Sequence, residues 1–151
     1  EVATYAQSQG VKAHGMNLGG RYVFPFGSVK FVPALHSSGY EIDGVMTYMG
    51  EASGIILEAE DKKIYHAGDT ALFSDMRLFA KDKSIDVAFL PIGDNYTMGP
   101  EDALEAVSYL NPEITIPIHY NTFPVIQQNP AIFVEQVVGG KVLNPGETIL
   151  V

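Results

Sequence analysis

The chain has 151 residues, of which 46% are hydrophobic and 18% are charged, a balance that excludes disorder and allows one domain with a buried core. The net charge of −9 at pH 7 argues against a nucleic-acid partner, since phosphate contacts need a basic surface. The sequence has no cysteine, so any metal ion must be held by histidines and carboxylates, and no apolar run approaches the roughly 18 residues that cross a membrane.

Alternating or continuous apolar runs in the first half of the chain predict short strands. The four strongest are Val23–Phe26, Val29–Leu35, Gly54–Ala59 and Lys63–His66. Val11–His14 and Val45–Tyr48 are weaker strand candidates. Gly27-Ser28 and Asp61-Lys62 separate neighbouring runs as hairpin turns do, so we expect a hairpin at each place.

The hydrophobic period changes in the second half. Apolar residues at helical spacing, such as Leu72, Met76 and Phe79, predict a helix over Thr70–Lys81. The continuous apolar run Ile85–Ile92 follows, and it is typical of a strand that is buried on both faces.

Proline-containing signals mark two more helices. Pro100-Glu101-Asp102 places a proline and two acids at a helix start, and Asn129-Pro130 predicts a helix that runs to about Val138. Ile114–Ile118 lies between them as the next strand. Two closing strands are expected, at Val142-Leu143 and Ile149–Val151. Strands followed by strand–helix alternation predict an α/β fold, with helices packed on a mixed sheet.

Four of the predicted strands end in side chains that can bind a metal ion. These are His36, Asp69 with its neighbour His66, Asp94 and His119. Loops that leave the carboxyl ends of neighbouring strands build the ligand site of α/β sheets, so these side chains could meet in one pocket. Imidazole and carboxylate together suit a divalent cation.

Each of these residues also has a simpler interpretation. A lone histidine after a buried strand is more often structural than a ligand. Gly68-Asp69 and Gly93-Asp94 could be turns only, because glycine permits positive φ and aspartate bonds its own backbone. Both interpretations stand for any one residue, and the recurrence at four strand ends favours a divalent metal site.

Four longer motifs occur in a fixed order around these residues. They are His36–Gly39, Tyr65–Thr70, Leu90–Asn95 with Thr97–Pro100, and Pro117–Thr122. Together they closely resemble the metallo-β-lactamase superfamily, and within it the branch called UPF0173, whose members are described as metal-dependent hydrolases. The resemblance extends over essentially all 151 residues and implies a four-layer αββα sandwich.

The resemblance implies a ligand set for one or two divalent cations. His36 matches a ligand of the first metal, Asp69 matches the catalytic aspartate that bridges two metals, and His119 matches a ligand of the second metal. Four further residues match positions beside these ligands or against substrate. They are His66, Asp94, Asn95 and Asn121.

The implied chemistry is hydrolysis of a small-molecule substrate, in which the metal centre acidifies a bound water and polarises the scissile bond. Zinc suits imidazole and carboxylate best, with manganese or another divalent ion as the alternative. The superfamily hydrolyses lactams, thioesters, phosphodiesters, lactones and phosphorylated lactones, so the resemblance does not select one substrate. The acidic chain argues mildly against a large polyanion.

One departure from the superfamily pattern is pronounced. The signature His-x-His-x-Asp-His is absent, since the four histidines lie at 14, 36, 66 and 119. We therefore expect residues 1–151 to be the C-terminal two-thirds of a single metallo-hydrolase domain. The segment with the remaining ligands would be the partner of this chain, which alone would bind metal weakly and be inactive.

The missing signature has a further consequence for the surface of the chain. The chain should expose apolar surface, which would pack against the missing segment or against a second copy in a homo-oligomer. The absence of cysteine and of an export signal favours the cytoplasm. The alternative function is a non-catalytic scaffold or interaction module that kept the fold without a complete metal site.

Overall fold

Six of the eight strands in the computed structural model, which describes every residue from Glu1 to Val151, form one sheet, and two form a separate hairpin. The strands are β1 (Arg21–Phe24), β2 (Gly27–Pro33), β3 (Gly39–Ile42), β4 (Val45–Tyr48), β5 (Ser53–Ala59), β6 (Lys62–His66), β7 (Val87–Pro91) and β8 (Ile114–Ile118). The helices are α1 (Val2–Ser8), α2 (Pro100–Leu110) and α3 (Pro130–Val134), with short 3₁₀ helices at Ser74–Leu78 and Pro124–Ile126.

The large sheet is mixed, with the order β1-β2-β5-β6-β7-β8. Its first four strands pair antiparallel, whereas β7 is parallel to both β6 and β8. Two-residue turns suffice between antiparallel neighbours, while the parallel pair β7 and β8 needs the longer crossover that contains α2. The predicted α/β class with a mixed sheet is confirmed.

The two predicted hairpins exist, with turns shifted toward the N-terminus. Phe24 pairs with Gly27, so Pro25-Phe26 is the first turn, because a proline cannot donate a ladder hydrogen bond. Glu60 and Asp61 form the second turn with positive φ angles of 49° and 62°.

Val45–Tyr48 is confirmed as β4, whose partner β3 was not predicted. Val11–His14 is not a strand, and α1 was also not predicted.

The predicted helix over Thr70–Lys81 is wrong, since only Ser74–Leu78 forms a 3₁₀ helix there. Backbone groups at the start of this segment bond to other loops instead of to a helical turn. The Ala71 N–H donates to the Leu35 carbonyl at 3.1 Å, and the Thr70 carbonyl accepts from the Met98 N–H at 2.9 Å. Phe73 is extended, so tertiary hydrogen bonds override the helical period of the side chains.

The later elements agree with prediction except at the C-terminus. Helix α2 begins at Pro100 as expected, and β8 has the predicted bounds. The Asn129 side chain caps α3 by accepting from the Ala131 N–H at 3.1 Å, although this helix ends four residues early. The two closing strands are wrong, because the segment after α3 makes only an isolated bridge between Thr115 and Gly140.

One face of the large sheet packs under α2 and α3, and we call it the helix face. Ile56, Tyr65 and Ala88 are neighbours in register on this face and are at most 4% exposed. They belong to a buried cluster with Met76 and Leu110. This cluster fixes the strands whose ends carry the candidate ligands.

We call the other side of the sheet the open face. Alternation along the same strands places Ile55, Leu57, Ile64 and Phe89 there. None of the four is fully buried, and Ile55 is 38% exposed. Apolar surface of this kind is what the sequence predicts for the chain. Toward β8 the same face is covered, since Val87 and Ile116 are each 2% exposed. None of the helices could span a lipid bilayer, since the longest, α2, has 11 residues.

Candidate metal centre

The carboxyl ends of β2, β6, β7 and β8 lie at one edge of the large sheet. Strand β5 is antiparallel to both β2 and β6, so these two run in the same direction, and β7 and β8 continue parallel to β6. The loops that carry His36, Asp69, Asp94 and His119 therefore leave the sheet on the same side. The predicted convergence of four strand ends is a property of this topology.

Two of the predicted ligands meet at this edge. The Asp69 Oδ2 lies 3.6 Å from the His119 Nε2. This separation is too long for a hydrogen bond, yet it is close to the about 3.3 Å that separates two ligands of one tetrahedral zinc ion. Asp69 and His119 are thus placed as two donors to a shared cation would be.

The backbone of His119 is held in an uncommon conformation. Its φ angle is 54°, in the left-handed region, which costs a non-glycine residue energy and persists only where the surroundings impose it. Gly93 is part of those surroundings, because a Cβ atom there would collide with the His119 carbonyl and lie 3.1 Å from its Nδ1. The buried Nδ1 has no hydrogen-bond partner.

Left-handed residues are concentrated in the two loops beside this pair. Of the eight non-glycine residues with positive φ, four follow β7 or β8, namely Asp94, Asn95, His119 and Asn121. Unfavourable backbone conformations of this kind gather at functional sites, where geometry is fixed at a cost in stability. The loops after β7 and β8 have this property.

His36 lies in the loop after β2 and does not complete a group of three with Asp69 and His119. Its exposed ring has Nδ1 2.8 Å from the Ser37 carbonyl, which leaves Nε2 without a bond. The backbone of this loop is nevertheless attached beside Asp69, since the Leu35 N–H donates to the Thr70 Oγ1 at 2.9 Å. The role of His36 as a ligand stays a prediction.

His66 lies on the open face, next to the aspartate loop. Its ring stacks on Phe89 with centroids 5.6 Å apart, and its Nδ1 accepts from the Gly68 N–H at 3.1 Å. Partial desolvation of the ring lowers the pKa of His66, and the nearby Asp69 carboxylate opposes that shift. Because Nδ1 accepts the bond from Gly68, the ring proton lies on Nε2, and His66 presents a donor beside Asp69.

The remaining predicted residues shape the loops. The Asp94 Oδ1 accepts from the N–H of Asn95 at 2.9 Å, which is the aspartate turn that was the simpler interpretation. The Asn121 Oδ1 accepts from the Gln128 N–H at 2.8 Å and so closes the loop after His119. The side chain of Asn95 is exposed at the same edge.

Comparison with known proteins identifies the family. Residues 1–120 match the model of the Beta-lactamase superfamily domain. The chain belongs to the β-lactamase superfamily. It is 98% identical over its whole length to a UPF0173 metal-dependent hydrolase of Enterococcus faecalis, and 54% identical over 99% of its length to one of Bacillus cereus.

A solved structure supports the same fold. Igni18, a metallo hydrolase from the hyperthermophilic archaeon Ignicoccus hospitalis, superposes with a TM-score of 0.84 and 36% sequence identity over 97% of this chain. The family resemblance and the metallo-β-lactamase-like fold are therefore confirmed. The chain spans 67% of the length of each UPF0173 relative and 64% of the length of Igni18.

The donor set of this superfamily member suits a divalent cation but does not complete a coordination sphere. Asp69 and His119 supply one carboxylate and one imidazole, whereas a tetrahedral site needs four ligands. Two residues that support the pair, Thr70 and Gly93, were not predicted from the sequence to have this role. The Gly-Asp-Thr motif contained Thr70, but the packing of Gly93 under His119 has no signal in the sequence.

Proposed function

We propose that this chain carries part of the metal centre of a metal-dependent hydrolase, with Asp69 and His119 as ligands and His36 as a third. The observation that carries the proposal is the 3.6 Å approach of the Asp69 Oδ2 to the His119 Nε2. These residues follow β6 and β8, two strands that β7 separates in the sheet. The description of the relatives as metal-dependent hydrolases supports the same function.

The residues at the sheet edge divide the work among them. Asp69 contributes negative charge, and each of its two carboxylate oxygens can supply a lone pair to a metal ion. It is therefore the candidate bridge between two cations. His119, held by its left-handed backbone against Gly93, offers an imidazole with little freedom to move. When bound, a divalent cation supplies an acidified water and polarises the scissile bond.

We propose that the metal is zinc, with manganese or another divalent ion as the alternative, because the donors are imidazole and carboxylate. The substrate is proposed to be a small molecule. His66, with a protonated Nε2 beside Asp69, is placed to donate a hydrogen bond to it or to a ligand.

Further ligands are proposed to come from outside residues 1–151. The UPF0173 relatives are about half as long again as the region that matches this chain, and this chain offers only two converging donors. A segment of the relatives outside the matched region would complete the coordination sphere. The chain by itself is then a weak metal binder without hydrolytic activity.

Zinc titration of the purified chain tests this proposal. We expect binding that is measurable by calorimetry or by competition with a chromophoric chelator, and that weakens at least tenfold in His119→Ala and in Asp69→Asn. The matched control is His14→Ala, because His14 packs with Tyr22 and Phe24 away from the pair and should leave zinc affinity unchanged.

Two results would count against the proposal. One is the absence of zinc, manganese or cobalt binding by the wild-type chain together with an unchanged melting temperature on chelation, which would favour the scaffold function. The other is equal loss of affinity in His14→Ala and His119→Ala, since binding would then not depend on the pair at the sheet edge.

A further inference from the structure

We infer that Thr70 is a positioning residue that holds the His36 loop against the Asp69 loop through its buried hydroxyl. The inference rests on the proposed function, in which both loops carry metal ligands. It concerns a side chain that would not touch the metal. Its role would be to set the distance between groups that do.

The contacts of Thr70 join loops that are distant in sequence. Its Oγ1 accepts a hydrogen bond from the Leu35 N–H at 2.9 Å and donates to the Ala71 carbonyl at 2.8 Å. The Ala71 N–H returns a bond to the Leu35 carbonyl at 3.1 Å. His36 follows Leu35 directly, so these bonds attach the backbone of one proposed ligand next to the backbone of the other.

A third loop is attached to the same residue. The Thr70 carbonyl accepts from the Met98 N–H at 2.9 Å, and the Met98 carbonyl accepts from the Asp94 N–H at 3.0 Å. Thr70 therefore contacts the loops after β2 and β7 while it lies in the loop after β6. The bonds from Met98 to Thr70 and from Ala71 to Leu35 use the backbone, so a substitution of the Thr70 side chain removes only the bonds of its hydroxyl.

Burial makes the hydroxyl hard to replace. Thr70 has no exposed surface, so water cannot readily substitute for its hydrogen bonds. His36 itself is exposed, and its ring bonds only the neighbouring Ser37. The Thr70 hydroxyl is the one side-chain group that hydrogen-bonds the backbone of Leu35, the residue before His36, and it acts beside the backbone bond from Ala71 to Leu35.

Thr70→Val tests the inference, because it keeps the side-chain shape and removes the hydroxyl. In the metal-free chain we expect amide exchange at Leu35 to accelerate at least tenfold. Zinc affinity should fall about tenfold, as for groups that orient metal ligands. Thr70→Ser should restore both values to near those of the wild type, which a need for the methyl group alone would not produce.

Thr115→Val is the matched control. Thr115 is equally buried, but its Oγ1 has no hydrogen-bond partner, so the same substitution should change neither Leu35 exchange nor zinc affinity. Unchanged exchange and affinity in Thr70→Val would overturn the inference while zinc binding by the wild type upholds the proposed function. Faster Leu35 exchange with unchanged zinc affinity would also overturn it, since the attachment would then be structural only. A wild-type chain that binds no zinc would overturn the proposed function and the positioning role together, even if Leu35 exchange accelerates.

Discussion

The two faces of the six-stranded sheet are both apolar, but along β5 and β6 they are covered to very different degrees. On the helix face, Tyr65 and Ala88 have no exposed surface and pack beneath α2. On the open face, their sequence neighbours Ile64 and Phe89 remain partly exposed. Strands with one polar side are the usual outcome when a sheet has a solvent face, so apolar residues on both sides make the open face a candidate packing surface.

The candidate metal centre lies where the two faces meet. Thr70 and Gly93 are buried and fix the ligand loops from within the fold, whereas His66 lies on the open face beside Asp69. Buried residues therefore hold the loops of the candidate site from inside the fold, and the side of His66 is the one from which further groups can approach.

The largest expected effect is the difference in unfolding free energy between a leucine-to-alanine substitution on the helix face and one on the open face. Leu90→Ala, at a fully buried position of the helix-face cluster, should lower the free energy of unfolding by about 2–5 kcal/mol. Leu57→Ala on the half-buried open face should cost less than about 1.5 kcal/mol, because less surface returns to water. Urea denaturation of both variants measures the difference. Equal losses would show that the open face is as well packed as the core.

The sequence predicted the elements whose bounds depend on local signals. Pro100 begins α2, and the apolar run Ile114–Ile118 is β8. Both signals are contained within a few consecutive residues, so they can be read without knowing the tertiary contacts. The segment Thr70–Lys81 has helical spacing, but its backbone bonds to the distant Leu35 and Met98. A single sequence does not show hydrogen bonds that form only after the sheet assembles.

In the candidate site, too, the sequence predicted what depends on local motifs and not what depends on tertiary contacts. Motifs identified Asp69 and His119, which the structure brings within 3.6 Å, because the ends of parallel strands must share an edge. His36 shares that edge too, but its ring position depends on a loop that periodicity does not describe. The packing of Gly93 against His119 is a tertiary contact, so the sequence marked this glycine only as part of a turn.

A smaller effect concerns Asp86, the one buried carboxylate of the chain, which directly precedes β7. The Asp86 Oδ2 accepts from the Lys63 N–H at 2.7 Å, and its Oδ1 lies 3.3 Å from the Lys62 Nζ. Burial raises the pKa of Asp86, but these two partners outweigh it and leave the pKa below its ordinary value. Asp86→Asn should therefore cost about 1–3 kcal/mol of unfolding free energy at pH 7.

The pH dependence of this loss distinguishes charge from packing. A lowered folded-state pKa stabilises the fold above the pKa of the unfolded chain, and this stability is lost as the pH falls through the folded value. The gap between wild type and Asp86→Asn should then narrow from about pH 5 downward in urea titrations. If this difference in unfolding free energy stays constant over the range, the charge of Asp86 does not cause it, and the asparagine side chain only packs or hydrogen-bonds less well at this position.

The smallest expected effect on stability tests whether the open face is a packing surface. Leu57→Lys places a charge in the middle of that face, between its pairing neighbours Val29 and Ile64. Because Leu57 is only half-buried, we expect the unfolding free energy to change by about 1 kcal/mol or less, since the long lysine stem can reach water.

Association should respond far more strongly than stability to the same substitution. Exposed apolar surface drives self-association, so sedimentation velocity should show concentration-dependent oligomers of the wild-type chain that Leu57→Lys suppresses. Val138→Lys is the matched control, because Val138 is 93% exposed and lies outside the sheet. If both lysine variants suppress association equally, net charge and not the open face controls it. If the wild type stays monomeric at every concentration, the open face alone is too weak to hold a second copy.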